Sequence, residues 1–293
     1  MKISSTALKA KRSCASGYRW FARRFKSPAE YQSVIDALVA DGRVDDACWL
    51  LDQFGPIKSV LVVDAISAQA FVYAGSVEVR GEVDVDAVLR TGGSLRAGGS
   101  IRAGSTVWIG NDLQAGAGLR TLGSLRTGGD LVSSWSVEVH GALTCGGDLR
   151  VRGALSCGAA LRGQGSAVVA QDLEVNGMVH CDKSLQVGGR LVCTDGLRAG
   201  HGIQVGQSIR SGMHIDAGWG IVAGLDITGE GAIRAGECIV SGGNVRPGAG
   251  FSLYAGLSAR RDAWASCGRV VSRTRPENLL SGFWDRVPCG ASA

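Results

Sequence analysis

The sequence predicts a mainly β protein: a β-solenoid built from a six-residue repeat and preceded by a small α-helical module. From Phe71 to Leu257 every sixth residue is apolar, and Ala167 is the only small member of this series. A period of six matches neither the 3.6 residues of a helical turn nor the two-residue alternation of a strand. The repeat therefore indicates a supersecondary unit that recurs along the chain, as in solenoid proteins.

The second observation is that each apolar residue opens a short β triplet that ends at a glycine-rich corner, as in Leu95-Arg96-Ala97 followed by Gly98 and Gly99. The first and third side chains of a triplet share one face of the strand, so we expect Leu95 and Ala97 to point inward and Arg96 outward. One triplet buries almost nothing by itself. Coiling the chain stacks the triplets into ladders around a continuous core.

Two coil sizes fit a six-residue repeat, a two-sided coil of 12 residues and a triangular coil of 18 residues. Glycine recurs every twelve residues from Gly129 to Gly189, two positions before the apolar residue. Four cysteines share one twelve-residue phase: Cys145, Cys157, Cys181 and Cys193. These phases favour 12-residue coils, with 18-residue coils as the alternative. At about 4.8 Å per coil, the rod would be roughly 75 Å long in the first case and roughly 50 Å in the second.

The outward residues sort with the same period. One phase is rich in arginine: Arg90, Arg102, Arg126, Arg150, Arg162, Arg198, Arg210, Arg234 and Arg246. The other phase contains neutral residues: Trp108, Val132, Val168, Val192 and Val240. In two-sided coils these sets form opposite faces. We predict that the arginine face binds an acidic protein partner, with the neutral face as the alternative site for docking or self-association. A solvated charged face that prevents the stacking of flat sheets is the alternative interpretation.

Residues 1–56 are predicted to form the helical module. Residues 1–26 contain basic side chains and no acidic one, with Trp20, Phe21 and Phe25 among them. They form either an arm that binds nucleic acid or an anionic membrane, or a helix whose aromatic residues pack on its neighbours. A helix is expected to begin at Ser27-Pro28, and a second one over Asp45–Gln53. Capping the first coil is sufficient reason for such a module, because a solenoid end exposes unpaired strand edges.

The six-residue repeat also sets the boundaries of the solenoid, which we predict over residues 57–260. Residues 261–293 break the register and contain Trp264, Leu279, Leu280, Phe283 and Trp284. They are expected to form a C-terminal cap or tail.

The composition indicates a cytoplasmic location. The chain has no run of 18 apolar residues, and its first residues lack the apolar segment of a secretory signal. Of nine cysteines, four fall at inward positions, as expected for buried thiols in a reducing compartment. Disulfides between neighbouring coils are the alternative for an exported chain.

The sequence contains no recognisable set of catalytic residues. We therefore expect that the protein is not an enzyme and that it binds no metal, cofactor or small-molecule substrate. The inward cysteines lie twelve residues apart and lack the C-x-x-C spacing of zinc sites. The four histidines are scattered along the repeat: His140, His180, His201 and His214. No serine, histidine and aspartate can be grouped into a triad.

The stretch GSLRAGGSIRAG resembles the repeats of bactofilin-type polymer-forming proteins, and the likeness covers about residues 71–257. This resemblance implies a non-enzymatic bacterial β-helix that assembles into filaments. The repeat is also similar to that of the left-handed β-helix acyltransferases. However, Trp135, Lys183 and Met213 stand where that family prefers small residues. The unbroken register also leaves no room for the protruding loop near which that family places its catalytic histidine.

From these observations we predict a non-enzymatic β-solenoid that uses its flat faces to bind or scaffold another protein. Two alternatives remain. The chain could assemble into a cytoskeletal filament, or it could be an immunity protein that neutralises a toxin by occluding it.

Overall fold

The computed structural model describes residues 1–25, 28–260, 262–263 and 267–286. It is a parallel β-solenoid with three sheets, preceded by helices, so the predicted fold class is confirmed. Between Phe71 and Val245, paired strands lie 18 residues apart along the chain: Leu131 lies beside Leu149, and Leu149 beside Ala167. The favoured 12-residue coil is therefore wrong, and the triangular 18-residue coil is correct.

The three sheets, which we call I, II and III, form the sides of the triangle. Sheet I contains Val60–Val63, Ser76–Val79, Leu95–Ala97, Leu113–Ala115, Leu131–Ser133, Leu149–Val151, Ala167–Val169, Leu185–Val187, Ile203–Val205, Ile221–Ala223, Ile239–Ser241, Arg269–Ser272 and Phe283–Arg286. Sheet II contains Ile66–Ala68, Val83–Val85, Ile101–Ala103, Leu119–Thr121, Val137–Val139, Leu155–Cys157, Leu173–Val175, Leu191–Cys193, Ile209–Ser211, Ile227–Gly229 and Val245–Arg246. Sheet III contains Phe71–Tyr73, Leu89–Thr91, Val107–Ile109, Leu125–Thr127, Leu143–Cys145, Leu161–Gly163, Val179–Cys181, Leu197–Ala199, Ile215–Ala217, Ile233–Ala235, Leu253–Tyr254 and Leu279–Ser281.

The twelve-residue sorting of the sequence has a different meaning in a triangular coil. A step of one 18-residue coil equals one and a half of the 12-residue periods. Each outward column therefore alternates between the arginine-rich phase and the neutral phase from one coil to the next. Arg126, Arg162 and Arg198 thus stand two coils apart on sheet III. Two like charges about 9.6 Å apart in water repel by roughly 0.4 kcal/mol, about half the value for adjacent coils. The sorting therefore spaces out like charges along one face.

The core fills the centre of the triangle and is continuous from Ile66 to Val270. Both inward residues of a triplet are buried, as in Leu149 and Val151, while Arg150 between them is exposed. Ala167 keeps its place in the ladder and is also buried. The predicted inward and outward positions are thus confirmed through most of the repeat.

The repeat ends earlier than the sequence indicates. Phe251 and Leu257 continue the six-residue series, but both side chains are exposed. Leu253 occupies the inward position instead and pairs with Ile233. Beyond residue 260, Arg269–Ser272 and Phe283–Arg286 still extend sheet I. Trp264, which was assigned to the C-terminal cap, lies outside the described residues.

The described part of the N-terminal module contains a two-stranded antiparallel sheet, Lys2–Ile3 with Ala29–Glu30, and four helices. We number the helices α1 (Ser5–Ala10), α2 (Ala15–Arg24), α3 (Tyr31–Ala40) and α4 (Val44–Phe54). The predicted start of α3 at Ser27-Pro28 is wrong, because Ala29–Glu30 is held as a strand and the helix begins at Tyr31. Ser27 itself and Lys26 lie outside the described residues.

Helix α3 closes the exposed edge of sheet III at the first coil. The side-chain amide of Gln32 donates to the Val72 carbonyl (3.2 Å) and accepts from the Ala74 backbone N–H (2.9 Å). These two backbone groups have no preceding coil to pair with, so the glutamine replaces a strand. The Val72 and Ala74 side chains are buried in the core of the module.

Replacing Gln32 with alanine tests this edge contact. We expect Gln32→Ala to cost about 1–3 kcal/mol of unfolding free energy, because two buried backbone groups lose their partner. Hydrogen exchange at the Ala74 amide should accelerate. The control is Gln186→Ala, which removes an exposed glutamine and should change stability by about 0.5 kcal/mol or less. Equal effects of the two substitutions would contradict the assignment.

Two glycines with opposite surroundings test the packing of the coils. A Cβ on Gly128 would lie 1.9 Å from the Gly110 carbonyl oxygen of the preceding coil, whereas one on Gly163 would meet nothing closer than Cys181 Sγ at 3.8 Å. We expect Gly128→Ala to destabilise the protein by about 1–3 kcal/mol through overpacking. Gly163→Ala should stabilise it by about 0.4–1 kcal/mol, because the unfolded chain loses freedom. Urea unfolding of both variants measures the difference, and the same sign for both would be inconsistent with these coil contacts.

Candidate functional site

The nine arginines of the predicted arginine face lie on three sheets. Sheet III carries Arg90, Arg126, Arg162, Arg198 and Arg234; sheet II carries Arg102, Arg210 and Arg246; sheet I carries Arg150. A single face with all nine is wrong, because the coil has three sides and successive members of the phase fall on different ones. Sheet III nevertheless keeps an arginine at every second coil from Arg90 to Arg234.

The predicted neutral face is divided in the same way. Val132, Val168 and Val240 lie on sheet I, Val192 lies on sheet II, and Trp108 lies on sheet III. Trp108 is partly buried, because arginines of both neighbouring coils cover its ring. The prediction of one neutral side is therefore wrong for Trp108 and Val192.

Arg90 is a structural residue at the junction of the module and the solenoid. Its side chain is buried, and its guanidinium forms an ion pair with Asp52 of α4. On the other side, its Cζ lies 3.9 Å from the centroid of the Trp108 ring, and Arg126 Cζ lies 5.0 Å from the same centroid. These cation–π contacts and the ion pair fix Arg90 in place. It is not accessible to a partner.

The remaining arginines of sheet III form what we call the arginine column: Arg126, Arg162, Arg198 and Arg234. All four are exposed. Arg234 lies 3.6 Å from Asp216, whereas Arg126, Arg162 and Arg198 have no carboxylate within ion-pair distance among the described residues. Thr144 and His180 separate these three, and His180 contacts Asp182 at 2.9 Å. The column is thus a row of exposed cations with a regular spacing, of which Arg126 also lies over the Trp108 ring and Arg234 pairs with Asp216.

Sheet I presents a different surface, which sequence reasoning recognised only in part. Its outward column from Val168 to Val240 reads Val168, Gln186, Gln204, Val222, Val240 and contains no charge. Gln186 and Gln204 are hydrogen-bonded to each other at 3.2 Å. Val222 and Gln186 belong to the arginine phase of the sequence, so a twelve-residue spacing assigns them to the arginine face and not to this column. Taking every eighteenth residue would have revealed this column.

The helical module contains an apolar cavity of about 270 Å³ between its helices. Phe21, Leu38 and Trp49 contribute to its lining, and Cys14 lies at its rim. The aromatic residues of the basic segment pack inward: Phe21 is buried, and its ring stacks on Phe25 with centroids 5.6 Å apart. Two alternatives were predicted for residues 1–26. In α2 the second one is observed, a helix whose aromatic residues pack on its neighbours.

Lys2 and Arg24 of this segment already have carboxylate partners within the module, Glu30 and Asp41. Arg24 and the indole N–H of Trp20 both contact Asp41, at 3.4 and 2.7 Å, and Arg43 pairs with Asp46. Arg19 and Arg23 remain exposed on α2. Binding of nucleic acid or an anionic membrane by this surface stays a prediction.

The four inward cysteines are buried, as predicted, and have free thiols. Burial raises the pKa of Cys157 and of Cys181 to about 12. Cys14 differs: it is exposed, and hydrogen bonds from the Ser16 hydroxyl and the Gly17 N–H at the start of α2 lower its pKa. Within the described residues, no group of three or more His, Cys, Asp or Glu side chains is arranged to hold a metal ion. Of the helices described, none has the length and apolar character to cross a membrane.

The fold defines the protein as a triangular parallel β-solenoid with an N-terminal helical module. Residues 1–54 match the family model of the YdhT N-terminal domain. The match ends at Phe54, the last residue of α4, so this likeness concerns the module and not the solenoid. Comparison with curated proteins and with solved structures gave no match.

The buried thiols predict how stability depends on pH. Cys157 and Cys181 keep their protons in the fold up to about pH 12, whereas in the unfolded chain they lose them near the ordinary value of 9.0. The folded pKa is raised, so stability that is fully present below pH 9 is lost as the pH rises toward 12.

Removing both thiols should therefore weaken this dependence. We expect the unfolding free energy of the Cys157→Ala/Cys181→Ala variant to fall less between about pH 9 and 11 than that of the unsubstituted chain. Urea unfolding at each pH gives the slope. Cys14→Ala is the control and should not make this fall smaller, because the pKa of Cys14 is lowered in the fold, whereas that of the buried thiols is raised. An unchanged slope in the double variant would contradict burial of these thiols.

Proposed function

We propose that this protein is a non-enzymatic scaffold that binds an acidic protein partner through the arginine column of sheet III. The observation that carries the proposal is the row of Arg126, Arg162 and Arg198. These three arginines are exposed, lie on one flat sheet, and have no ion-pair partner among the described residues. A rigid row of cations at two-coil spacing favours a partner whose carboxylates recur along a line.

The length of the row supports a macromolecular partner over a small molecule. Arg126 and Arg198 are four coils apart, which corresponds to about 19 Å at about 4.8 Å per coil. This part of sheet III is flat, and its outward residues are Thr144 and His180 between the arginines. A flat surface of this length contacts a protein surface better than it encloses a substrate.

The column is only partly balanced by nearby acids. Asp130 and Asp148 lie at the corner between sheets III and I, and each accepts a backbone N–H of the following coil through its Oδ1. Asp148 also pairs with Arg150 of sheet I at 2.9 Å. These carboxylates are engaged in holding adjacent coils together, so they leave the arginines of sheet III available.

A filament assembled end to end, as the bactofilin-like repeat implies, has less support. Gln32 and the module occupy the N-terminal edge of sheet III, which a second rod would need for continuous pairing. An immunity protein would use the arginine column in the same way, and the identity of the partner decides between that role and a scaffold. A cytoplasmic location is part of the proposal and rests on the thiols buried in the core.

Charge reversal on two sheets tests the proposal. The full chain is used to capture its partner from the native host, and the affinity of the purified partner is then measured at several salt concentrations. We expect Arg126→Glu/Arg162→Glu/Arg198→Glu to lower the affinity at least tenfold and to abolish its salt dependence. The matched control is Arg102→Glu/Arg210→Glu/Arg246→Glu, which makes the same change of net charge on sheet II and should bind nearly as well as the unsubstituted chain.

Two results would overturn the proposal. If both triple variants lose affinity equally, only the net charge of the protein matters. If neither does, the partner does not use the arginine column.

A further inference from the structure

The coil around the strand Ile221–Ala223 carries an exposed apolar stripe across sheet I. It consists of Trp219, Val222 and Leu225, whose exposed fractions are 50%, 37% and 52%. Trp219 and Leu225 lie at the two corners that bound the strand, and Val222 points outward from its middle. Exposed aromatic and aliphatic side chains in one line mark a site of protein association.

The stripe is held rigid before any association. The Trp219 ring stacks on His201 of the preceding coil, with centroids 4.2 Å apart and an interplanar angle of 7°. Val222 lies within a sheet that is hydrogen-bonded on both sides, to Ile203–Val205 and Ile239–Ser241. Little side-chain or backbone freedom remains to be lost, so the entropic cost of covering this stripe is small.

The outward column of sheet I that the stripe crosses is uncharged. The outward column through Val222 contains only valine and glutamine from Val168 to Val240, and glycines stand beside it at Gly188, Gly206 and Gly224. This excludes the acidic partner proposed for sheet III as its natural occupant, since charged groups would be buried here without partners.

We propose that sheet I binds the same sheet of a second copy, with the two rods side by side and parallel. A two-fold axis along the rods, midway between the facing sheets, brings each coil opposite its own copy. Val222 then meets Val222 and Gln204 meets Gln204. Trp219 of each copy lies opposite Leu225 of the other, because the two-fold axis exchanges the two corners.

The charged corner residues next to the stripe fit this arrangement. Lys183 and Glu237 occupy the corner position that Trp219 holds in its own coil. At the opposite corner of the same coils stand Gly189 and Gly243. The two-fold axis therefore places each charged side chain opposite a glycine of the second copy, where it can remain at the solvated rim.

The area of this surface indicates how tightly the two copies are expected to bind. Five strands at about 4.8 Å and a width of roughly 20 Å between the two corners give roughly 500 Å² per copy. The buried total of roughly 1,000 Å² falls at the lower limit for specific interfaces, so we expect a weak, concentration-dependent dimer.

Sedimentation equilibrium of the full chain over a wide concentration range measures this dimer. We expect Val222→Glu to raise the dissociation constant at least tenfold, because it buries an unpaired charge at the centre of the interface. The matched control, Thr228→Glu, adds the same charge on sheet II of the same coil and should dimerise normally. Trp219→Ser should act like Val222→Glu, whereas Trp135→Ser, five coils away and 69% exposed in the unsubstituted chain, should have no effect.

Cross-linking tests the orientation. In a Cys14→Ser background, which removes the exposed thiol at the start of α2, Gln204→Cys should form a disulfide-linked dimer under mild oxidation. Thr144→Cys on sheet III should not. An antiparallel pair of rods would bring Gln204 opposite Val240 and give no cross-link.

The proposal is overturned if the chain is monomeric at all concentrations, if the two glutamate variants behave alike, or if Gln204→Cys fails to cross-link. A stripe that receives a different protein would leave the chain monomeric, which is also a negative result. The measurements use no acidic partner, so they are independent of the function proposed for sheet III.

Discussion

The parallel pairing of each residue with the one 18 positions further along the chain is the constraint on which the rest of the structure depends. Leu131, Leu149 and Ala167 illustrate it, since each stacks directly on the last. The pairing closes a triangular coil and sends the inward side chains into one core. It also brings the backbone of neighbouring coils so close that Gly128 has no space for a side chain. One register thus fixes the core, the corners and the outward columns together.

The same register gives each side of the rod its own chemistry. Sheet III keeps one phase of arginines at two-coil spacing, whereas sheet I collects valine and glutamine. A partner that recognises charge and a partner that recognises an apolar surface can therefore bind to different sides of one rod without competing. This separation arises without loops or insertions, because the outward residues are free to vary while the inward ones hold the fold.

The helical module joins this rod through two contacts of different character. Gln32 completes the backbone hydrogen bonding of the first strand of sheet III. Asp52 pairs with Arg90, which in turn lies against Trp108. The module therefore continues the sheet at its edge and also covers part of its outer side. The Gln32 contact protects the N-terminal edge of sheet III from adding a further strand of another chain. Residues 1–54, which are similar to the YdhT N-terminal domain, precede the repeat. This similarity therefore concerns the helical module and not the solenoid.

The sequence alone determined the solenoid, the inward and outward positions and the burial of the four cysteines, because a six-residue spacing of apolar side chains leaves no other way to bury them. It could not determine the coil size, since triplets of identical spacing stack equally well in twos or threes. The tertiary structure decided this, and with it which outward residues are neighbours. Arg90 shows the consequence, because its sequence position is that of a surface arginine, whereas packing of α4 against sheet III buries its side chain beside Asp52. The column from Val168 to Val240 is the converse case. Its members are scattered over both sequence phases, and only the 18-residue register brings them onto one side.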